Sequence, residues 1–255
     1  MSLSMFDLTG RRALVTGSSQ GIGYALAKGL ASVGASIVLN GRDPAKLGRA
    51  AQGLRGEGGT VHQAAFDVTD HAACAAGVAQ IESQVGPIDI LINNAGMVGR
   101  APLDQVPAKD FELLMMTNVN SVFNVGQAVA QNMIPRGRGK IINICSVMTM
   151  LARPGVAPYT ASKGAVANLT KGMATDWALH GLNVNGIAPG YFKTELTESL
   201  VKDAEFSGWL EKRTPAGRWG NVDELVGAAV FLSSDASTFV NGHVLFVDGG
   251  MTACV

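Results

Sequence analysis

Tyr159, Lys163 and Ser146 have the side-chain types and spacing to move a proton on and off a carbonyl or alcohol oxygen. Tyr159 stands four residues before Lys163, and a helix across that stretch puts phenol and ammonium on one face. A tyrosine with its ordinary pKa of about 10 is a poor base, but a nearby cation favours the phenolate and brings it toward working pH. Ser146, thirteen residues upstream of the tyrosine, can donate to or accept from the same oxygen. The three make a general acid/base group, and Lys163 can also hold ribose hydroxyls. Asn118, in Thr117-Asn118-Val119, interrupts an apolar stretch. Its buried amide needs a partner, either a water that passes protons to Lys163 or helix backbone.

A second group suits a phosphate-bearing cofactor. Thr16-Gly17-Ser18-Ser19-Gln20-Gly21-Ile22-Gly23 follows an apolar run and leads into a helical pattern. Glycines at such a strand-to-helix turn allow a tight reversal and close backbone approach, and the helix N-terminus attracts a pyrophosphate. The spacing is G-x-x-x-G-x-G, and no P-loop is present, which argues against a nucleotide triphosphatase. The next apolar run ends Asn40-Gly41-Arg42, where an NAD-binding protein usually offers an acid to the ribose 2′-hydroxyl. An arginine without a carboxylate at that turn suits a 2′-phosphate, favouring NADP (NADPH) over NAD. The plainer alternative is a solvated residue ahead of an Asp43 N-cap and Pro44 at N1. Asp67-Val68 and Asn93-Asn94-Ala95-Gly96 close two further runs. Ala95 and Gly96 are small enough for backbone to approach a ribose, and Asn93 can bridge strands through its amide.

The elements that must position these groups are legible as a pattern. Short apolar runs at 12–16, 36–40, 61–66, 88–92, 140–144, 183–187 and 243–247 read as strands buried on both faces. Helical spacing lies between them, as in Ile22, Ala25, Leu26, Gly29, Leu30 and Val33, and long helices are expected over 109–133 and 157–179. The alternation predicts an α/β fold: a Rossmann-type, doubly wound, seven-stranded parallel sheet in three α/β/α layers, one domain over 1–255. The polar interval 191–215 reads as a helical flap over the substrate.

Composition removes other classes. Lys plus Arg and Asp plus Glu both number 20, giving a formal net charge of zero, so no nucleic-acid partner is expected. No apolar run approaches membrane-spanning length, and the start lacks a basic region followed by an apolar one. Three scattered cysteines without a CxxC fit a reducing compartment, and we expect a cytoplasmic protein. Met5 offers a second start, leaving residues 1–4 as a short leader. No residue cluster has metal-ligand spacing, so no metal is expected, and G-x-S-x-G is absent.

Taken together, Thr16-Gly17-x-x-x-Gly21-Ile22-Gly23, Asn93-Asn94-Ala95-Gly96, Asn118, Ser146, Tyr159-x-x-x-Lys163 and Pro189-Gly190 resemble the short-chain dehydrogenase/reductase family over essentially the whole chain. The resemblance implies hydride transfer to or from a nicotinamide ring, and usually a homotetramer. It implies Asn118, Ser146, Tyr159 and Lys163 as the catalytic tetrad. The cofactor set it implies is Gly17, Ser19, Gln20, Gly21, Ile22, Gly23, Arg42, Asn94, Ala95, Gly96, Tyr159 and Lys163. Asp67 and Val68 would face the adenine, and Pro189, Gly190 and Thr194 the nicotinamide side. Phrases such as 39–42, 152–155, 171–178 and 213–220 look like a branch that interconverts D-gluconate and 5-keto-D-gluconate with NADP. A sugar acid or polyol needs a cationic anchor, for which Arg100 and Arg153 qualify, with Ser146 and Tyr191 as further substrate contacts. Met97, Met148 and Met150 would give the walls apolar character. The competing expectations are a 3-oxoacyl-carrier-protein reductase, docking its acidic carrier on the basic cluster Arg136-Gly137-Arg138-Gly139-Lys140, and a non-catalytic NADPH-binding regulator.

Overall fold

Each apolar run is followed by enough helix to carry the chain back across the sheet, so neighbouring strands pair in parallel. A computed structural model describes residues 3–254. Met1 and Ser2, part of the leader expected over 1–4, lie outside the described residues. The order is β1 (Arg12–Val15), α1 (Gly21–Ser32), β2 (Ser36–Gly41), α2 (Pro44–Gly56), β3 (Val61–Ala65), α3 (His71–Gln84) and β4 (Ile90–Asn93). There follow α4 (Ala108–Met115), α5 (Ser121–Arg136), β5 (Gly139–Ile144), α6 (Ala157–Trp177) and β6 (Leu182–Pro189). The chain closes with α7 (Glu198–Lys202), α8 (Ala204–Arg213), α9 (Val226–Ser233) and β7 (Val244–Val247). The sheet runs β3-β2-β1-β4-β5-β6-β7 with every pair parallel. The chain reverses its direction of travel between β1 and β4, and the crevice at their carboxyl ends is where such a sheet holds ligands.

Alternation along the inner strands decides the layers. Ala13, Val15, Ile90, Ile92, Ile142 and Ile144 face one side, packed with Leu26 and Leu30 of α1, Leu47 and Leu54 of α2 and Leu232 of α9. Leu14, Leu91 and Ile141 face the other, with Val78 and Ile81 of α3, Val125 and Val129 of α5 and Val166 of α6. Double-sided burial fails at the two edges: β3 is buried only at Val61, and β7 is half-buried throughout, because each edge has a neighbouring strand on one side only.

Two helices depart from expectation. The one expected over 109–133 is α4 and α5 joined by a π-helical turn, Met116–Asn120, a distortion that often marks a functional site. The one expected over 157–179 ends at Trp177, with a 3₁₀ turn stopped by Gly181 at φ 77°. The flap interval contains α7 and α8. Asp203 ends the first and caps the second, accepting from the Glu205 and Phe206 amides.

One ion pair ties α3 and α5 to the segment that leads into β4. Arg136 donates to both Glu82 carboxylate oxygens, at 2.7 and 3.1 Å, and to the Ile88 carbonyl at 2.8 Å, while Glu82 also accepts from the Ile88 amide. Arg136→Met leaves a largely buried carboxylate and a carbonyl without their donor. We expect a loss of about 1–3 kcal/mol in urea unfolding, and an unchanged midpoint would show that the pair is dispensable.

Candidate active site

At the carboxyl end of β1 the glycine loop is held from the neighbouring strand. The Thr16 hydroxyl accepts from the Asn94 and Ala95 amides, and the Asn94 side-chain amide donates to the Thr16 and Gly17 carbonyls, both at 3.0 Å. This close approach explains two glycines. A Cβ on Gly17, itself at φ 60°, would meet the Ala95 Cα at 2.9 Å, and one on Gly23 would meet Asn94 Nδ2 at 2.4 Å and the Gly17 carbonyl at 2.6 Å. Gln20 precedes α1 without any side-chain cap, so the leading N–H groups of that helix remain available to an anion. Backbone this close to the helix start can cradle a pyrophosphate. Gly23→Ala should therefore weaken NADPH binding roughly tenfold or more, because relief of the overlap must shift the loop backbone. Titration of NADPH fluorescence measures it, and wild-type affinity would show that the loop tolerates the methyl.

A cleft of about 500 Å³ opens at these strand ends. Every residue given from the sequence a catalytic, cofactor-binding or substrate-binding role lines it except Gly23 and Asn118. Gly23 lies beneath Asn94. Asn118 is 1 % exposed: its Oδ1 accepts from the Met97 amide at 2.8 Å, and its Nδ2 donates to the Met97 carbonyl at 2.9 Å and the Ser162 hydroxyl at 3.0 Å. Rather than helix backbone, the amide fastens the loop after β4. Ser162 in turn donates to the Tyr159 carbonyl, so Asn118 steadies the turn that carries the tyrosine.

At the far end of the cleft Arg42 stands exposed, 3.8 Å from the Asp67 carboxylate. The carboxylate missing from the β2 turn is thus supplied in space by β3's end. Burial pushes Asp67 up, but hydrogen bonds from the Thr69 amide and hydroxyl, helped by Arg42, outweigh it and hold the carboxyl below its ordinary value. Asp43 caps α2 as anticipated, accepting from the Ala45 and Lys46 amides. Lys46, which the sequence reading passed over, also lines the cleft. Its signal was its place four residues after Arg42, in the first turn of α2. Asn124 of α5 donates to the Val68 carbonyl and so fixes the wall beside Asp67. Beneath it the buried Cys74 thiol donates to the same carbonyl, and burial pushes that thiol up to about 11.

The acid/base group assembles at the ends of β5 and α6. Ser146 accepts from the Met148 amide at 3.2 Å, which leaves its own proton to give. Lys163 donates to the Ile144 carbonyl at 2.7 Å, with its ammonium 5.7 Å from the centre of the Tyr159 ring. Burial pushes Lys163 down to about 8, opposed by the nearby Cys145 thiol. Burial raises Tyr159 above its ordinary value, while the facing Ser146 hydroxyl and, more weakly, Arg100 lower it. Burial likewise pushes Cys145 up to about 11, Lys163 and Thr170 opposing.

The interval 191–215 supplies one wall of the cleft, from Tyr191 to Leu200. Tyr191 packs against Phe206 and edge-on to Trp219, at 5.7 and 5.8 Å between ring centres. Arg100 is exposed and donates to the Leu196 carbonyl of the flap at 3.4 Å, and Arg153 lies over the Phe206 ring. Met97 and Met148 line the cleft; Met150 does not and is 69 % exposed, on a turn that points it to solvent. The basic cluster at 136–140 is not a free docking face either. Arg136 is tied to Glu82, Arg138 pairs with Asp89, and Lys140 is 5 % exposed, donating to Asn183.

Residues 11–205 match the family described as short chain dehydrogenase. The chain belongs to the short-chain dehydrogenase family. It is 67 % identical to a gluconate 5-dehydrogenase of Gluconobacter oxydans (strain 621H) over 248 residues, 97 % of each protein. It is 51 % identical to a 5-keto-D-gluconate 5-reductase of Escherichia coli (strain K12), over 98 % of this chain and 99 % of that one. A crystal structure of a gluconate 5-dehydrogenase from Burkholderia cenocepacia J2315, in complex with NADP and tartrate, superposes with a TM-score of 0.98 at 59 % identity, covering all of both chains.

Proposed function

We propose that this chain is an NADP-dependent oxidoreductase that interconverts the C5 alcohol of D-gluconate and the ketone of 5-keto-D-gluconate. The observation that carries the reading is the meeting, in one cleft, of the uncapped α1 N-terminus, the Arg42 and Lys46 cations, and the Ser146–Tyr159–Lys163 group. The similarity to gluconate and 5-keto-D-gluconate enzymes along nearly the full length supports the substrate.

The backbone of the glycine loop and α1 would hold the pyrophosphate, with Arg42 and Lys46 on a 2′-phosphate and Asp67 and Val68 beside the adenine. Asn94, Ala95 and Gly96 would line the ribose, and Pro189, Gly190 and Thr194 the nicotinamide. Bound NADP supplies a hydride acceptor, and NADPH a donor. In oxidation Tyr159 takes the hydroxyl proton and Ser146 holds the oxygen; in reduction Tyr159 returns the proton to that oxygen. Lys163 favours the phenolate and can hold the ribose hydroxyls. Asn118 acts as a positioning residue, through Met97 and Ser162. We further propose a homotetramer, for which exposed Phe111, Leu113, Met116 and Phe123 along α4 and α5 offer apolar surface. The three free thiols suit action in the cytoplasm, a reducing compartment.

Three measurements test the reading. With purified protein, NADP and gluconate, reduced-nicotinamide absorbance should grow, and Tyr159→Phe should cut turnover roughly a hundredfold or more with NADPH binding retained; a variant that keeps its turnover would sink the acid/base assignment. Arg42→Ala combined with Lys46→Ala should raise the KM for NADP at least roughly tenfold while leaving NAD little affected. Equal effects on both would remove the 2′-phosphate role. The raised phenol means that the protonated form persists through neutral pH. Reduction, which needs that form, should stay level and then decline, while gluconate oxidation should climb between about pH 7 and 10; an oxidation rate that falls over that range contradicts Tyr159 as the base.

A further inference from the structure

Arg153 is a half-buried cation in aromatic surroundings. Its guanidinium carbon lies 5.4 Å from the centre of the Phe206 ring, and that ring is itself pinned by Tyr191, Trp209 and Trp219 at centre distances of 5.7, 5.3 and 6.2 Å. Among the described residues no aspartate or glutamate pairs with Arg153; its backbone contact is a long bond, 3.4 Å, to the Pro154 carbonyl. A guanidinium that has given up water for an aromatic face, without an anionic partner, is costly unless something else supplies the charge. It lines the cleft, so a ligand can.

Its place along the cleft says which part of the ligand. Arg100 acts on the phenols of both Tyr159 and Tyr191, whereas Arg153 acts on Tyr191, to whose hydroxyl it is hydrogen-bonded. Arg100 therefore serves the reacting end, and Arg153 lies beside Tyr191 and over the Phe206 ring. A sugar acid oxidised at C5 carries its carboxylate four carbon–carbon bonds from the reacting carbon, so that group reaches outward while C5 stays at Tyr159. We infer that Arg153, held in place by the Phe206 ring, binds the substrate carboxylate and makes the site select sugar acids over neutral polyols. The inference rests on the sugar-acid reading above. Phe206 is a positioning residue: stacking on its face leaves the edge donors of the guanidinium for a bidentate grip. Phe206 belongs to α8, so this helix carries the ring that orients the anchor. Binding of tartrate, a hydroxylated carboxylate, by the similar Burkholderia protein is in keeping with such a subsite.

The test compares gluconate with the neutral polyol glucitol in steady-state kinetics with NADP. Arg153→Met should raise the gluconate KM roughly tenfold or more, with a much smaller change in kcat and in the KM for glucitol. Arg153→Lys should recover part of the loss, and Phe206→Leu should raise the gluconate KM severalfold where Phe206→Tyr does not. Thermal shift by tartrate in the presence of NADPH gives a second readout that needs no turnover, and it should vanish in Arg153→Met while stabilisation by NADPH alone remains. An unchanged gluconate KM, or equal losses on gluconate and glucitol, overturns the anchor, as does persistence of the tartrate shift. If the wild-type protein does not oxidise gluconate, the functional reading fails by itself, and the tartrate experiment still decides whether Arg153 binds a carboxylate.

Discussion

The site depends on a set of buried hydrogen bonds that lock the cofactor half of the sheet to the catalytic half. Thr16 accepts two successive amides from the end of β4, Asn93 donates to Asn143 on β5 at 2.9 Å, and Asn143 donates to Thr170 on α6 at 2.9 Å. Asn118 completes the series from α5's side through Met97 and Ser162. Each of these groups is desolvated, so losing one partner leaves the other unpaired at a cost of about 1–3 kcal/mol. Polar ties among apolar strands allow a single register here, and a slip of one residue would leave several orphaned at once. The glycines follow from this: where Asn94 pulls the loop against the strand end, positions 17 and 23 have no room for a side chain.

Much of this was legible because period and position carry it. The strands emerged within a residue or two, since an inner strand of a parallel sheet is apolar on both faces, and the glycine loop was recognisable from what flanks it. Tyr159 and Lys163 declared themselves by a spacing that only a helix makes meaningful. Their environment did not, because which groups reach the phenol is a matter of burial and of loops that cross from elsewhere. Arg100 arrives from the loop after β4, and Ser146 from the end of β5.

What escaped the sequence reading escaped for similar reasons. The carboxylate facing Arg42 comes from the neighbouring strand, twenty-five residues away. The π-helical turn carries an amide whose partner, Met97, lies twenty-one residues earlier. Met150 shares the composition of a wall residue but sits on the outer side of a turn. A basic run at 136–140 that looks like a docking face is dispersed by geometry: its members point to α3, to the start of β4 and into the sheet.

Two thiols lie beneath the two ends of the cleft, Cys74 under the Asp67–Val68 wall and Cys145 against Lys163, both buried and both held at about 11, while Cys254 is exposed. A buried, protonated thiol is inert toward alkylating reagents until the structure around it opens. The chain thus carries two internal clocks and a built-in reference. The rates at which Cys74 and Cys145 become modified, set against the prompt labelling of Cys254, time the breathing of the nucleotide end and of the chemical end separately. Matching rates would mean that the polar ties make the two ends a single cooperative unit.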